Sequence, residues 1–259
     1  MRRTSPVALT NRQSDRYSRQ LIVDKFGGLA QERLLASRVL LASRRPAFEA
    51  VLAYLVGAGV GRIDLHASPQ EAAFDSIVAR MRDLNSDAIV ALRADLAAAD
   101  DMRGEAHLDD QLGETAGSRT RGGAGPHFDL ALAIVGDDAA LDLARALFDR
   151  PHEVARYSAT VFARLDFPAR IAVFPKPPPC PRCAIGGELL APVRARGENA
   201  GFVATLAALE AIKLLSGFEA AGKPILIEFN GYQSSARPID SPAIASCACG
   251  AIRAPEESR

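Results

Sequence analysis

Apolar stretches of strand length alternate with amphipathic stretches of helix length through the first 150 residues. VLLA at 39–42 precedes the helical stretch AFEAVLAYLVGAG, and RIDLHA follows it. EAAFDSIVARMRDLN, AIVALRA, HFDLALAIVG and DAALDLARALFD continue the alternation. Strands that read as near-continuous apolar runs are buried on both faces, and that occurs in parallel sheets covered by helices on each side. This alternation narrows the choice to an α/β, Rossmann-like, mostly parallel sheet.

The remainder of the chain fits around that unit. LAQERLLAS, before the first strand, has helical character. YSATVFA, ARIAVF and PILIEF read as further strands around one long helix, GFVATLAALEAIKLLSGF. They predict a C-terminal mixed sheet that extends the parallel one. The expected organisation is a single domain over 1–259. It comprises an N-terminal helical arm (1–37), a nucleotide-fold half (38–150) and a sheet extension (151–259), with a polar, glycine-rich flexible insertion at 101–126. No repeat of solenoid period is present.

Charge and hydropathy exclude several classes. Thirty-one basic residues balance 31 acidic ones, so bulk electrostatics point to neither nucleic acid nor membrane as a partner. The opening MRRTSPVALTNRQSDRYSRQ has no apolar core of a secretory signal, and no apolar run reaches bilayer-spanning length. The expected compartment is the cytoplasm.

Four cysteines fall in two pairs, Cys180 and Cys183 in CPRC, Cys247 and Cys249 in SCACG. In a cytosolic chain such pairs favour metal over disulfide. Four thiolates fill a tetrahedral zinc site with no open position, so the zinc would be structural. It would tie a mid-chain loop to the C-terminal tail across roughly sixty residues. The other reading is four unpaired buried cysteines. The four histidines (His66, His107, His127, His152) show no metal-ligand spacing.

The first strand-to-helix turn poses a question of chemistry. Nucleotide-binding proteins hold phosphate at such turns with glycine and exposed backbone N–H groups. Here the turn is Ser43-Arg44-Arg45-Pro46, without glycine. Gly57-Ala58-Gly59-Val60-Gly61 is rich in glycine but follows a helix and precedes a strand. That end of a helix presents carbonyls, so the motif reads as a helix stop. With no glycine motif after any strand, a nicotinamide-dependent oxidoreductase is disfavoured.

RYSRQLIVDKFGGLAQERLLASRVLLAS, with its RYxRQ signature at Arg16 to Gln20, resembles the opening of the ThiF/MoeB/HesA proteins, relatives of the ubiquitin-activating enzymes. AYLVGAGVGRIDL is similar to that family's second helix and strand. ARIAVFPKPPPCPRC resembles its strand and first zinc knuckle. NAGFVATLAALEAIKLLSGF is similar to the helix after its crossover loop, and SCACG stands at the second knuckle. The resemblance implies a homodimer that binds ATP·Mg and transfers AMP to the C-terminal glycine of a ubiquitin-like or sulfur-carrier protein. It places Arg19 as the arginine that reaches the partner's nucleotide.

The sequence departs from the family where the reaction needs it most. Ser43 to Phe48 replace the family's G-x-G-G-x-G turn, and Pro46 removes a donor. Ala67 and Pro69 stand at the acidic ribose positions, Pro69-Gln70-Glu71 replace the asparagine- and arginine-bearing segment, and Ala73 stands near the lysine. Asp137 falls on the metal-handling aspartate, although Asp137 or Asp138 equally suits a helix N-cap. Arg44 and Arg45 are either an anion-binding pair acting through side chains or a solvated pair. GELLAPVRARGEN lacks the further cysteine that sulfur relay or thioester transfer requires. The expectation is a catalytically degenerate member that binds zinc, doubtfully ATP·Mg, and a protein partner: a ubiquitin-like protein, a peptide or an active homologue. The alternative is an active adenylyltransferase with a reorganised site at Ser43, Arg44, Arg45 and Asp137.

Overall fold

The computed structural model describes residues 9–66, 74–93, 127–149, 156–174, 197–218, 225–230, 233 and 235–239. Three helices open the chain: α1 (Asn11–Arg16), α2 (Ser18–Leu21) and α3 (Gly27–Leu35). Then come β1 (Arg38–Ala42), α4 (Ala47–Ala58), β2 (Arg62–His66), α5 (Phe74–Leu84) and β3 (Ile89–Arg93). β4 (His127–Val135), α6 (Asp138–Asp149), β5 (Arg156–Arg164) and β6 (Ala169–Phe174) follow. α7 (Gly197–Ser216), β7 (Ile225–Asn230) and β8 (Ser235–Ile239) complete the described chain.

The strands form one eight-stranded sheet in the order β3-β2-β1-β4-β5-β6-β7-β8. β3 through β5 are parallel along that order, while β5–β6, β6–β7 and β7–β8 pair antiparallel. The described strands of the extension pair antiparallel with one another, and β5 joins them to the parallel half through β4.

Alternate residues of β1 enter opposite cores, as the strand period of two requires. Val39 and Leu41 pack with Ile63, Leu65 and the helices α3, α4, α5 and α7. Leu40 and Ala42 pack with Ala131, Ala133, Phe162 and α6. Helices thus cover both faces, as the apolar runs predict. α7 lies close to the first core through Ala204, Ala207, Ala208 and Ala211, whose small side chains bring the helix near the sheet. Among the described residues no helix is long and apolar enough to cross a membrane.

The N-terminal arm contains more helix than its hydrophobic pattern suggests. α1 is polar and buries nothing, so periodicity could not reveal it. A capping box holds it: the Thr10 hydroxyl accepts the Gln13 N–H at 3.2 Å, and the Gln13 amide oxygen accepts the Thr10 N–H at 3.0 Å. The insertion at 101–126 lies outside the described residues.

Candidate functional site

The turn after β1 sits at the carboxyl end of the parallel strands, where open α/β sheets bind ligands. Its first residue, Ser43, is fully buried, and its hydroxyl donates to the Ile134 carbonyl of β4 at 3.2 Å. The Phe48 N–H donates to the Arg44 carbonyl and the Glu49 N–H to the Pro46 carbonyl, each at 3.2 Å. Pro46 has no N–H to offer. Ala47 and Phe48 turn their side chains into the core, at 4% and 0% exposure. Of the backbone donors that a glycine turn would aim at a phosphate, those of Phe48 and Glu49 are thus used inside the helix and that of Pro46 is missing.

Both arginines of the turn are engaged by carboxylates of the chain. Arg45 Nε lies 2.6 Å from Glu49 Oε1, one helical turn on, and Arg80 Nη2 of α5 lies 2.8 Å from Glu49 Oε2. Arg44 Nη1 lies 3.4 Å from Asp137 Oδ2. Asp137 Oδ1 accepts the Ala140 N–H at 2.7 Å, so Asp137 is the N-cap of α6. One carboxylate oxygen caps a helix and the other meets Arg44. The Arg44–Asp137 pair is half exposed, so its contribution to stability is small, about 0–1 kcal/mol. Its effect is steric and electrostatic: a guanidinium stands at the aspartate that the family resemblance assigns to metal.

The glycine-rich segment behaves as a helix stop. Gly59 has φ +90°, its N–H donates to the Val56 carbonyl, and the Val60 N–H donates to the Leu55 carbonyl, both at 3.0 Å. This is a Schellman ending. Gly61 is required by close approach, because a Cβ there would fall 1.9 Å from the Leu35 carbonyl oxygen.

The Arg16 to Gln20 motif lies against that ending. Tyr17 is 1% exposed; its hydroxyl donates to Asp87 Oδ2 at 3.1 Å and accepts from Asn85 Nδ2 at 2.9 Å. Asn85 Nδ2 also donates to the Val56 carbonyl at 2.7 Å. Arg16 Nη1 donates to the Leu84 carbonyl at 3.0 Å, and Arg12 pairs with Asp87. Burial, the largest influence, pushes the Tyr17 phenol above its usual range; Asp87 adds to the rise and Asn85 opposes it. Arg19 stands apart: it is exposed and forms no hydrogen bond or ion pair among the described residues. Beside it Ile22 is 84% exposed. The anchors Asn85 and Asp87 were not singled out in the sequence. The DLNSDAIV turn was their signal, but its partner Tyr17 lies about seventy residues away.

The structure brings Arg44 and Asp137 together and leaves Arg19 elsewhere on the surface. Cys180, Cys183, Cys247 and Cys249 lie outside the described residues, as do Ala67, Pro69, Gln70, Glu71, Ala73 and positions 187–196 of the GELLAPVRARGEN segment. Among the described residues no group of three or more His, Cys, Asp or Glu side chains could hold a metal.

Comparison with known proteins shows what the chain is similar to. No family model matches the chain. The adenylyltransferase and sulfurtransferase MOCS3 of Aedes aegypti is 27% identical across 93% of this chain. Escherichia coli MccB superposes with a TM-score of 0.61 over 97% of this chain and 76% of its own, at 14% identity. The chain is similar to MOCS3 in sequence and shares the fold of MccB. Two further structures share the fold: E. coli MccB with ATP (TM-score 0.60, 14% identity, 92% of this chain and 74% of that one) and PaaA (0.52, 14%, 92% and 86%). At such identities the solved structures speak for the fold alone. The chain spans 56% of the length of MOCS3.

Proposed function

We propose that this protein is a ThiF/MoeB/HesA-family binding subunit that has lost ATP chemistry and recognises a protein or peptide partner. The observation that carries the proposal is the closed turn after β1. Phe48 and Ala47 are packed inward, Pro46 lacks a donor, and Arg44 lies against Asp137. ATP·Mg does not fit these residues. The phosphates would meet a turn in which the Phe48 and Glu49 N–H groups are used by the helix and Pro46 has none, and the metal would need an aspartate whose two oxygens are engaged. No step of adenylyl transfer is therefore assigned to this chain.

Partner binding is supported by MccB, whose structures include complexes with MccA. A homodimer is proposed from Arg19 and its apolar neighbours Ile22 and Val23, exposed together beside the family motif. A structural zinc at Cys180, Cys183, Cys247 and Cys249 is proposed from the chemistry of the donor set, together with a cytoplasmic location, a compartment that keeps such thiols reduced for the metal.

Calorimetry with ATP·Mg, together with ATP–pyrophosphate exchange in the presence of ubiquitin-like proteins, tests the proposal. Neither binding in the micromolar range nor exchange above background is expected. Either result would establish the adenylyltransferase reading instead.

A further inference from the structure

β2 carries an acidic residue, Asp64, on the sheet face opposite the α3–α5 layer, and its side chain is 0% exposed. Three arginines converge on it from three adjacent strands. Arg38 of β1 places Nε at 2.8 Å and Nη2 at 2.7 Å from Oδ2. Arg62 of β2 places Nε at 3.1 Å from Oδ1. Arg93 of β3 places Nε at 3.5 Å from Oδ1. The Arg38 guanidinium also lies 4.7 Å from the centroid of the Phe128 ring, with that of Arg93 at 5.8 Å, so one aromatic face serves two cations.

The cluster holds more positive charge than it neutralises. Three guanidinium groups share one carboxylate. Asp129 accepts the Arg38 backbone N–H at 3.0 Å, and counting it still leaves a positive excess among the described residues. Arg93 is the decisive member. Its side chain is only 10% exposed, and its Nε is buried without a hydrogen-bond partner among the described residues. The terminal nitrogens of Arg62 and Arg93 form no hydrogen bond with any described residue. Arg38 and Arg62 retain 25% and 30% exposure, so the cluster opens to solvent at one side. Burial, the largest influence, lowers the Arg38 pKa from its usual value; Arg62 and Arg93 act in the same direction and Asp64 against it. An unused buried donor beside surplus planar cations calls for an oxyanion, which guanidinium forks bind in two-point fashion.

We propose that Arg38, Arg62 and Arg93 form a binding site for a phosphate-type oxyanion on this face, with Asp64 holding the three side chains in place. The site is distinct from the turn after β1. Arg38 opens the strand and Ser43 follows its end, about 16 Å along the chain.

The test is thermal denaturation and calorimetry of the full chain with inorganic phosphate, against sodium chloride at matched ionic strength. A phosphomonoester in a parallel arm separates a free ion from a ligand headgroup. Phosphate should raise the melting temperature saturably and beyond chloride. Arg62→Gln and Arg93→Gln should weaken phosphate roughly tenfold to a hundredfold, the weight of one charge-assisted partner. Asp64→Asn removes the built-in competing anion, so its melting temperature should fall in chloride and recover in phosphate by more than wild type gains. Arg44→Gln, at the other site, should leave the phosphate response unchanged. Two results overturn the proposal: phosphate acting no better than chloride on both wild type and Asp64→Asn, or a phosphate response that survives intact in Arg62→Gln and Arg93→Gln. Should Arg93→Gln fail to fold, Arg62→Gln, at the solvent-facing start of β2, decides the matter.

Discussion

Replacing Gly59 with alanine should be among the most damaging single-methyl additions available to this protein. The residue sits at φ +90°, where an L side chain costs about 1–2 kcal/mol. Its new Cβ would lie 2.6 Å from Gln31 Nε2 and 2.8 Å from both Cζ and Oη of Tyr17. Neither neighbour is free to give way. Gln31 is fully buried, and its Nε2 donates to the Ala58 carbonyl at 2.9 Å. Tyr17 is held by Asn85 and Asp87. Overpacking of this kind adds about 1–3 kcal/mol. The expected loss is therefore roughly 3 kcal/mol, a large part of a typical domain's stability. Gly57 supplies the control. It lies exposed in the same helix with nothing within 4 Å of an added Cβ. Gly57→Ala should be stabilising by about 0.5–1 kcal/mol. Urea denaturation followed by circular dichroism measures both. A Gly59→Ala variant within 1 kcal/mol of wild type, or two glycines that respond alike, would refute the account of this segment as an arm-bearing helix stop.

Asp137→Ala should lose about 1 kcal/mol through the α6 cap, whereas Asp137→Asn keeps a cap and should cost under about 0.5 kcal/mol; thermal denaturation showing the reverse order would contradict the cap assignment. Tyr17→Phe should cost about 1 kcal/mol at pH 8 by removing a buried hydrogen-bonding group. The phenol titrates higher in the folded protein than in the unfolded chain, so its stabilisation is complete below the unfolded value near 10 and is lost as pH rises through the folded value. Wild type should therefore lose stability more steeply than Tyr17→Phe above about pH 10, and parallel pH profiles of the two would contradict this. Metal analysis of purified protein should find about one zinc per chain, and Cys180→Ser should lose it together with stability; unchanged metal content in that variant would exclude the four-cysteine site.

Much of the candidate site was legible from local pattern. Ser43-Arg44-Arg45-Pro46 could be recognised as a glycine-free turn between strand and helix because the three follow one another in the chain. Gly59 as a helix stop and Asp137 as a helix cap rest on neighbours within five residues. α1 escaped because a short polar helix leaves no apolar period, although Thr10 and Gln13 carried its cap. The antiparallel sense of β6 to β8 escaped because an apolar run does not state the direction of its partner.

The order of elements, the parallel half of the sheet, the glycine-free turn after β1 and the fate of the glycine-rich segment were determined by the sequence itself. Each depends on spacings shorter than a helix or strand. Tertiary structure decided which charges meet. Arg44 finds Asp137 across 93 residues, and Arg38 and Arg62 stand side by side only because β1 pairs with β2 in that register. Asp64, one charged residue in RIDLH, becomes a buried anion among three arginines because β1 and β3 flank it. Coulomb interactions depend on distance in space, and strand register, set by the whole sheet, determines that distance.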